Sequence, residues 1–405
     1  MPTLSSYQAV AEPEEIRALT RLAARLKGRT FLHVNSTAAG GGVAEILHRL
    51  IALLLDVGVE ARWAVIEGTQ PFFEATKQIH NGLQGQEVTI SPRQWTVHRE
   101  VNDANATRLS LEGDLVLIHD PQPAPLIRHR AGGRWVWRCH IDASHPYPDV
   151  WRKLEPYVTA YDAAIFSAAK FAQHLPIPQF VVPPSIDPLG EKNRELSDQE
   201  IREALESLHL DEDKPMLLQV SRFDRFKDPL GVIRAYRMVK KYHNCQLVLA
   251  GSGAADDPEG AEVLARVQEE AAGDPDIRAL LLPPFSDRLI NALQRSATVV
   301  LQKSIREGFG LTVAEALWKG KPVIGGAVGG IPMQIHHGVT GFLVHSAEGA
   351  AYRVRQVLHD PGLGRRLGAM GREHVRRNFL ITRQARDYLA LWAALERLDE
   401  RVIHI

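Results

Sequence analysis

Arg306-Glu307-Gly308-Phe309-Gly310-Leu311-Thr312-Val313-Ala314-Glu315 follows a short apolar run, Val299 to Gln302, and opens onto a helical pattern. Strand, glycine turn and helix in that order are part of a βαβ unit, which predicts a parallel sheet. Gly308 and Gly310 let backbone approach a ligand closely, and the unpaired N–H groups of a helix start at Gly310 to Thr312 favour an anion. At about 1.5 Å rise per residue, Glu315 lies roughly 6 Å into the helix while Glu307 stays in the loop. The two carboxylates therefore reach different parts of one ligand, and a carboxylate suits a hydroxyl such as that of a ribose or hexose. A local reading stands beside this one: Glu307 pairs with Arg306 or Arg222, and Glu315 balances the helix dipole.

Outward from that stretch the same alternation recurs. Glu14 to Lys27 reads as a helix, Arg29 to Asn35 as a strand, Gly40-Gly41-Gly42 as a turn, Val43 to Val57 as a helix and Ala61 to Ile66 as a strand. Leu115 to His119, Trp135 to Ile141, Ala163 to Ser167 and Phe180 to Val182 continue the strands of a first α/β series, which closes near Pro183 and Pro184. Ser185 to Asn193 is aperiodic and reads as a linker. Leu217 to Ser221, Gln246 to Gly251, Ile277 to Leu282, Val299 to Gln302, Pro322 to Ile324 and Gly341 to Val344 form a second series. Thr382 to Leu398 carries an apolar stripe, Tyr388, Leu389, Leu391, Trp392 and Leu395, suited to packing back on the first domain. The expected fold class is α/β, two doubly wound sheets whose ligands sit at the carboxyl ends of the strands.

Composition limits the classes of function. The 405 residues, at about 150 per domain, make two domains the simplest division. With 48 Lys plus Arg against 48 Asp plus Glu, no bulk field draws nucleic acid or an anionic membrane, so an anionic ligand needs local cations. Cys139 and Cys245 alone make no disulfide framework or structural zinc site, which suits a reducing compartment. No apolar run approaches the roughly 18 residues of a membrane span, and the acids Glu12, Glu14 and Glu15 argue against a leader peptide. The expected location is the cytoplasm.

Other candidates lie at strand ends. Arg222 and Lys227, in Val220-Ser221-Arg222-Phe223-Asp224-Arg225-Phe226-Lys227-Asp228-Pro229, supply the cations a diphosphate requires, unless the loop is simply solvated with Arg222 on Asp224. In Cys139-His140-Ile141-Asp142, His140 could bond a sugar hydroxyl or be a satisfied structural histidine. In His119-Asp120-Pro121-Gln122-Pro123, Asp120 and Gln122 could bind an acceptor or cap a proline-rich turn. Trp135 and Trp137 read as core, and His336 and His337 lack a third ligand, so no metal is assigned.

Glu307 and Glu315, with the Arg222 and Lys227 loop and the Gly251-Ser252-Gly253 turn, resemble the retaining GT-B glycosyltransferases of family 4, over nearly the whole chain. Within it the chain is most similar to the trehalose glycosyltransferring synthases, through His119 to Pro123, Trp137 to Asp142, Pro184-Ser185-Ile186-Asp187-Pro188 and Ser304 to Thr312. The resemblance implies two Rossmann-like domains facing a central cleft. Residues 1–184 form the acceptor side, with 382–405 packing back, and 185–381 bind the donor. By the same resemblance Arg222 and Lys227 hold the donor diphosphate and Glu315 the ribose. Glu307, with Phe309, Gly310 and Leu311 and the adjoining Thr312, holds the donor glucose. His140 lies at the reacting centre, Gly41 and Gly42 face the donor, and Asp120, Gln122 and Asp142 are candidates for the acceptor. The implied reaction joins glucose from a nucleoside diphosphate glucose (ADP- or UDP-glucose) to free glucose, giving α,α-trehalose with retention. It needs no cofactor and no essential divalent metal.

The rivals are a retaining trehalose phosphorylase, in which phosphate replaces the nucleotide, and a transferase with another sugar acceptor. A nicotinamide oxidoreductase would need a Gly-x-Gly-x-x-Gly fingerprint, absent both at Gly40-Gly41-Gly42 before Glu67 and at Gly251-Ser252-Gly253-Ala254-Ala255-Asp256. A non-catalytic sugar-binding protein gives no reason for Arg222, Lys227 and Glu307 to converge. The base, the direction of the reaction and a homodimer are left open.

Overall fold

A computed structural model describes residues 2–38, 41–252, 258–283 and 285–396. Gly40, residues 253–256 of the second glycine turn and the end of the C-terminal stretch, 397–405, lie outside the described residues. The chain divides into two units, Met1–Ser185 with Leu380–Ile405, and Ile186–Phe379.

The first unit carries β1 (Thr30–Asn35), β2 (Glu60–Val65), β3 (Leu115–His119), β4 (Arg134–Cys139), β5 (Ala163–Phe166) and β6 (Gln179–Val181). They form one sheet in the order β2-β1-β3-β4-β5-β6, parallel throughout. β3 and β5 are buried along their length and β4 nearly so, as helices on both faces require. Trp135 and Trp137 are core residues. β4 stops at Cys139 rather than Ile141, because the His140 N–H is taken by Asp120 Oδ1 at 2.7 Å instead of a ladder partner.

The second unit carries β7 (Met216–Val220), β8 (Gln246–Ser252), β9 (Ile277–Leu282), β10 (Val299–Gln302), β11 (Val323–Gly326) and β12 (Phe342–Val344). Its sheet runs β12-β11-β10-β7-β8-β9, again parallel. In each unit the strand order reverses at one point, between β1 and β3 and between β7 and β10. The loops that follow the strands on either side of such a reversal are where open α/β sheets hold their ligands. The loops that carry Arg222 and Lys227, and Glu307 to Thr312, leave β7 and β10.

The Ile381–Leu395 helix packs on Pro13–Arg25 and Gly42–Asp56. Its Trp392 and Tyr388 rings meet Phe31 of β1 at centroid distances of 5.5 and 6.2 Å. Its buried Arg383 donates to the carbonyls of Pro183 and Pro184 at 2.7 and 3.1 Å and pairs with Asp387, which ties down the chain where it leaves the sheet. Among the described residues no helix is long and apolar enough to cross a membrane.

The Pro92–Arg108 helix has no apolar stripe, because the face it buries is polar: His98, Asn102 and Asn105. His98 Nε2 donates to the carbonyls of Pro121 and Gln122 (2.9 and 3.1 Å), and Asn102 donates to Gln122 O at 2.9 Å. Asn105 exchanges two bonds with the Glu67 backbone, 2.7 and 2.8 Å. One helix therefore fixes the loops after β2 and β3. Burial pushes the His98 imidazole down to about 4 from 6.5. The unfolded chain takes up that proton as pH falls below 6.5 and the folded chain does not until near 4. His98 therefore contributes a loss of stability toward acid, at most about 1.4 kcal/mol per pH unit. His98→Gln keeps an N–H at the Nε2 position and removes the titration. Urea unfolding of the variant should show a shallower loss of stability between pH 6.5 and 4, and an unchanged slope would contradict this assignment.

Candidate functional site

In the second unit, the side chain of Asp224 accepts from Phe226 N at 2.7 Å and starts the tight turn Arg225–Lys227. Phe226 O then accepts from Ile305 N (2.8 Å), and Gln219 Nε2 donates to Lys227 O (2.8 Å), so the β7 and β10 loops are fastened to each other. Lys227 Nζ lies 2.7 and 2.6 Å from the two carboxylate oxygens of Glu307. Ser304 Oγ (3.1 Å) and Gln302 Nε2 (3.4 Å) add to Glu307 Oε2, and Thr312 Oγ1 reaches Gln302 Oε1 at 3.3 Å. Glu307 thus pairs with Lys227, and with neither Arg306 nor Arg222. The attraction between a buried carboxylate and a largely buried ammonium offsets part of the cost of desolvating each.

Gly310, at φ +82°, turns the chain into the Leu311–Trp318 helix, a left-handed conformation that disfavours side chains. The first N–H groups of that helix, at Leu311 and Thr312, have no intrahelical acceptor. The Phe309 ring is buried and packs on Phe379 at 5.4 Å, while its carbonyl accepts from Gln334 at 2.6 Å. Gly329, at φ +53°, is where β11's loop meets the site: a Cβ there would stand 1.5 Å from the Glu307 carbonyl oxygen.

Glu315 is buried one turn into the helix, with Lys192 at 3.8 Å and Gln294 at 3.5 Å. Lys319 donates to Asn193 Oδ1 (2.8 Å) and Glu315 O (3.2 Å), and burial lowers its ammonium to about 7 against the pull of Glu315. Lys192, Gln302 and Ser304 were absent from the expected set. Arg222 is exposed and sits on Asp224 at 3.2 Å. It makes no hydrogen bond or ion pair with Glu307 among the described residues.

In the first unit the site-like cluster is at the β1/β3 reversal. His33 of β1, His119 at the end of β3 and His140 just after β4 form a line, His33 Nδ1 to His119 Nε2 at 3.0 Å and His119 Nδ1 to His140 Nε2 at 3.0 Å. Burial holds the His33 imidazole down to about 3. His119 is pushed well below its ordinary value by burial and by the two neighbouring histidines, and His140 by burial and the Arg138 guanidinium. All three are neutral. Asp120, at φ +66°, turns its carboxylate onto the His140 N–H, and burial raises it to about 7. Gln122 is fixed through its carbonyl by His98 and Asn102, with its side-chain Oε1 buried and unbonded among the described residues. Asp142 accepts from Ser144 N (3.1 Å) and Oγ (2.6 Å), closing a local turn. Gly41, at φ +88°, and Gly42 form the start of the Gly42–Asp56 helix. Among the described residues no group of three or more His, Cys, Asp or Glu is arranged to hold a metal.

The family model for the N-terminal domain of trehalose synthase matches residues 33–173, and that for group 1 glycosyl transferases matches 200–374. The chain is 46% identical over 403 residues to trehalose synthase of Pyrococcus horikoshii, spanning 97% of this chain and 96% of that one. It is 30% identical over 402 residues to trehalose phosphorylase of Pleurotus pulmonarius, spanning 84% of this chain and 54% of the relative. The α,α-trehalose-phosphate synthase (UDP-forming) of Burkholderia vietnamiensis superposes with a TM-score of 0.73 over 93% of this chain and 99% of that chain. At 15% identity that likeness shows the fold, GT-B.

Gly329 and Gly338 give a paired test of the packing behind Glu307. Both have positive φ, so alanine at either costs about 1–2 kcal/mol of backbone strain. Only at Gly329 does the new methyl also collide with the Glu307 carbonyl; at Gly338 nothing lies within 4 Å. Gly329→Ala should therefore lower the unfolding free energy by about 1–3 kcal/mol more than Gly338→Ala. Equal losses in denaturant titrations would remove the close packing from the account.

Proposed function

The chain belongs to the trehalose synthase family of GT-B glycosyltransferases, and on that premise we propose that it moves glucose from a nucleoside diphosphate glucose to free glucose, giving α,α-trehalose with retention. The observation that carries this reading is the Lys227–Glu307 pair beside the helix start at Leu311. The pair supports it because an ammonium suits a phosphate and a carboxylate suits sugar hydroxyls, and both lie beside the unpaired N–H groups of a helix start. Arg222, exposed on the same loop, adds a planar fork for the diphosphate. Glu315, buried with Lys192 nearby, takes the ribose.

As the bond from the anomeric carbon to the phosphate oxygen breaks, negative charge grows on the diphosphate and positive charge on the sugar ring. Lys227, Arg222 and the helix start stabilise the first, and Glu307 orients the second. The acceptor oxygen bonds the anomeric carbon on the face the phosphate leaves, and its proton passes to the leaving phosphate. That route retains configuration and asks no carboxylate to act as a covalent nucleophile. His140 bonds a hydroxyl of the reacting sugar. The cations already present neutralise the diphosphate, so no divalent metal is required.

Purified protein incubated with ADP- or UDP-glucose plus glucose should form α,α-trehalose, read from its anomeric proton signals by NMR. Glucose 1-phosphate appearing instead from trehalose plus phosphate would move the assignment to a phosphorylase. EDTA should leave the rate unchanged. Lys227→Ala should reduce kcat by about 10²–10³-fold, as the loss of a transition-state charge contact does, while circular dichroism at low temperature still shows a folded chain whose unfolding midpoint is lowered because Glu307 is left buried and unpaired. Preserved turnover would refute the role given to Lys227.

A further inference from the structure

Three histidines in hydrogen-bonded series obey a simple count. Each neutral imidazole carries one proton, so the line His33–His119–His140 holds three, and two of them fill the two 3.0 Å bonds. The third lies at one of two ends: His33 Nε2 or His140 Nδ1. Those ends differ. His33 is fully buried, with the Phe31 and Tyr388 rings tilted against it at 4.3 and 5.9 Å, and its Nε2 has no hydrogen-bond partner among the described residues. His140 is only half-buried, and its Nδ1 has no recorded partner among the described residues. Orphaned buried N–H groups are rarer than orphaned acceptors, so a lone pair belongs at the sealed end and the proton at the open one.

We propose that His33 and His119 are positioning residues that fix His140 as a neutral imidazole with its proton on Nδ1, a permanent hydrogen-bond donor toward the reacting sugar. His33 Nδ1–H donates to His119 Nε2, His119 Nδ1–H donates to His140 Nε2, and His140 Nδ1–H is left for a hydroxyl oxygen. Nothing else bonds the His140 ring among the described residues, and an isolated imidazole would be free to swap tautomer or flip. The charged or titratable groups around the line are Arg138, which opposes any second proton, and Asp120, whose carboxylate is occupied by the His140 backbone. The Ile381–Leu395 helix closes the far end through Tyr388. The role of His140 as sugar donor rests on the transferase reading; the tautomer does not.

The test uses full-length protein labelled with ¹⁵N-histidine, and two-bond ¹H–¹⁵N correlation spectra recorded without substrate. His140→Gln identifies the His140 signal. In the wild type that ring should show the Nδ1–H pattern and hold it unchanged from pH 8 to 6. His33→Asn retains an N–H close to the Nδ1 position, and should keep the His140 pattern and kcat within about threefold. His33→Leu removes the donor that sets the direction of the line. His140 should then show the Nε2–H form or a mixture, and kcat should fall by about 10–100-fold, as for a misplaced catalytic contact, with KM little altered. A wild-type His140 protonated on Nε2, or a His33→Leu protein with wild-type spectrum and kcat, overturns the proposal. If the tautomer behaves as stated while no sugar transfer occurs in any variant, the histidine line stands and the transferase reading falls.

Discussion

A largely buried ammonium held by a buried carboxylate, Lys227 against Glu307, is the interaction around which the second unit is arranged. Such a pair is stable only if its geometry is good and the remaining lone pairs are used. The structure meets both conditions from several directions. Gln302 and Ser304 complete the carboxylate, Gln219 and the Phe226–Ile305 backbone bond hold the two loops in register, and Gly329 lets a third loop support Glu307 from behind. The Lys227–Glu307 pair and the Phe226–Ile305 bond form only because β7 and β10 are neighbours at the reversal of strand order. The parallel sheet brings the two loops side by side, and the ion pair joins them.

The first unit meets its own reversal with a different device. Where the second unit uses charge, this one uses neutral imidazoles kept from ionising by burial and by Arg138. Their direction is fixed from the back of the sheet, by aromatic packing of the C-terminal helix on Phe31 and His33. A polar helix, Pro92–Arg108, then fixes the loops beside them. Stability and site geometry are coupled here, because His98, which fixes the loop after β3, is also a buried imidazole whose neutrality costs stability in acid.

Much of this was legible in the residues. The twelve strand-like runs matched the twelve strands of the described residues, most plainly at inner strands such as Leu115 to His119, which are buried on both faces and so continuously apolar. Glu307 and Gly310 could be picked out because a glycine turn between strand and helix lets backbone approach a ligand, and Lys227 because a chain of zero net charge needs a local cation at a strand end to hold an anion. The pairing of Glu307 with Lys227, rather than with Arg306 or Arg222, was not legible, since it depends on β7 lying beside β10. His33 was missed for the same reason: no local pattern links residues 33, 119 and 140 until β1, β3 and β4 are adjacent. The Pro92–Arg108 helix escaped because its periodicity is carried by His98, Asn102 and Asn105. A search for polar residues at helical spacing would have found it.

The pairing of Lys227 with Glu307 also bears on which ligands the site favours. With the two groups already satisfied by each other, a ligand gains little by taking only one. A phosphate that draws Lys227 away leaves Glu307 with Gln302 and Ser304, which are weaker partners than an ammonium. Sugar hydroxyls that engage Glu307 alone must compete with the same ammonium. Only a molecule offering phosphate oxygens and hydroxyls a few ångströms apart replaces both halves of the pair at once, so that neither charge is left buried and alone. A hexose linked to a phosphate through its anomeric carbon has that spacing by its covalent structure. On the proposed function, the pair would therefore discriminate through the cost of partial replacement rather than through the nucleotide base.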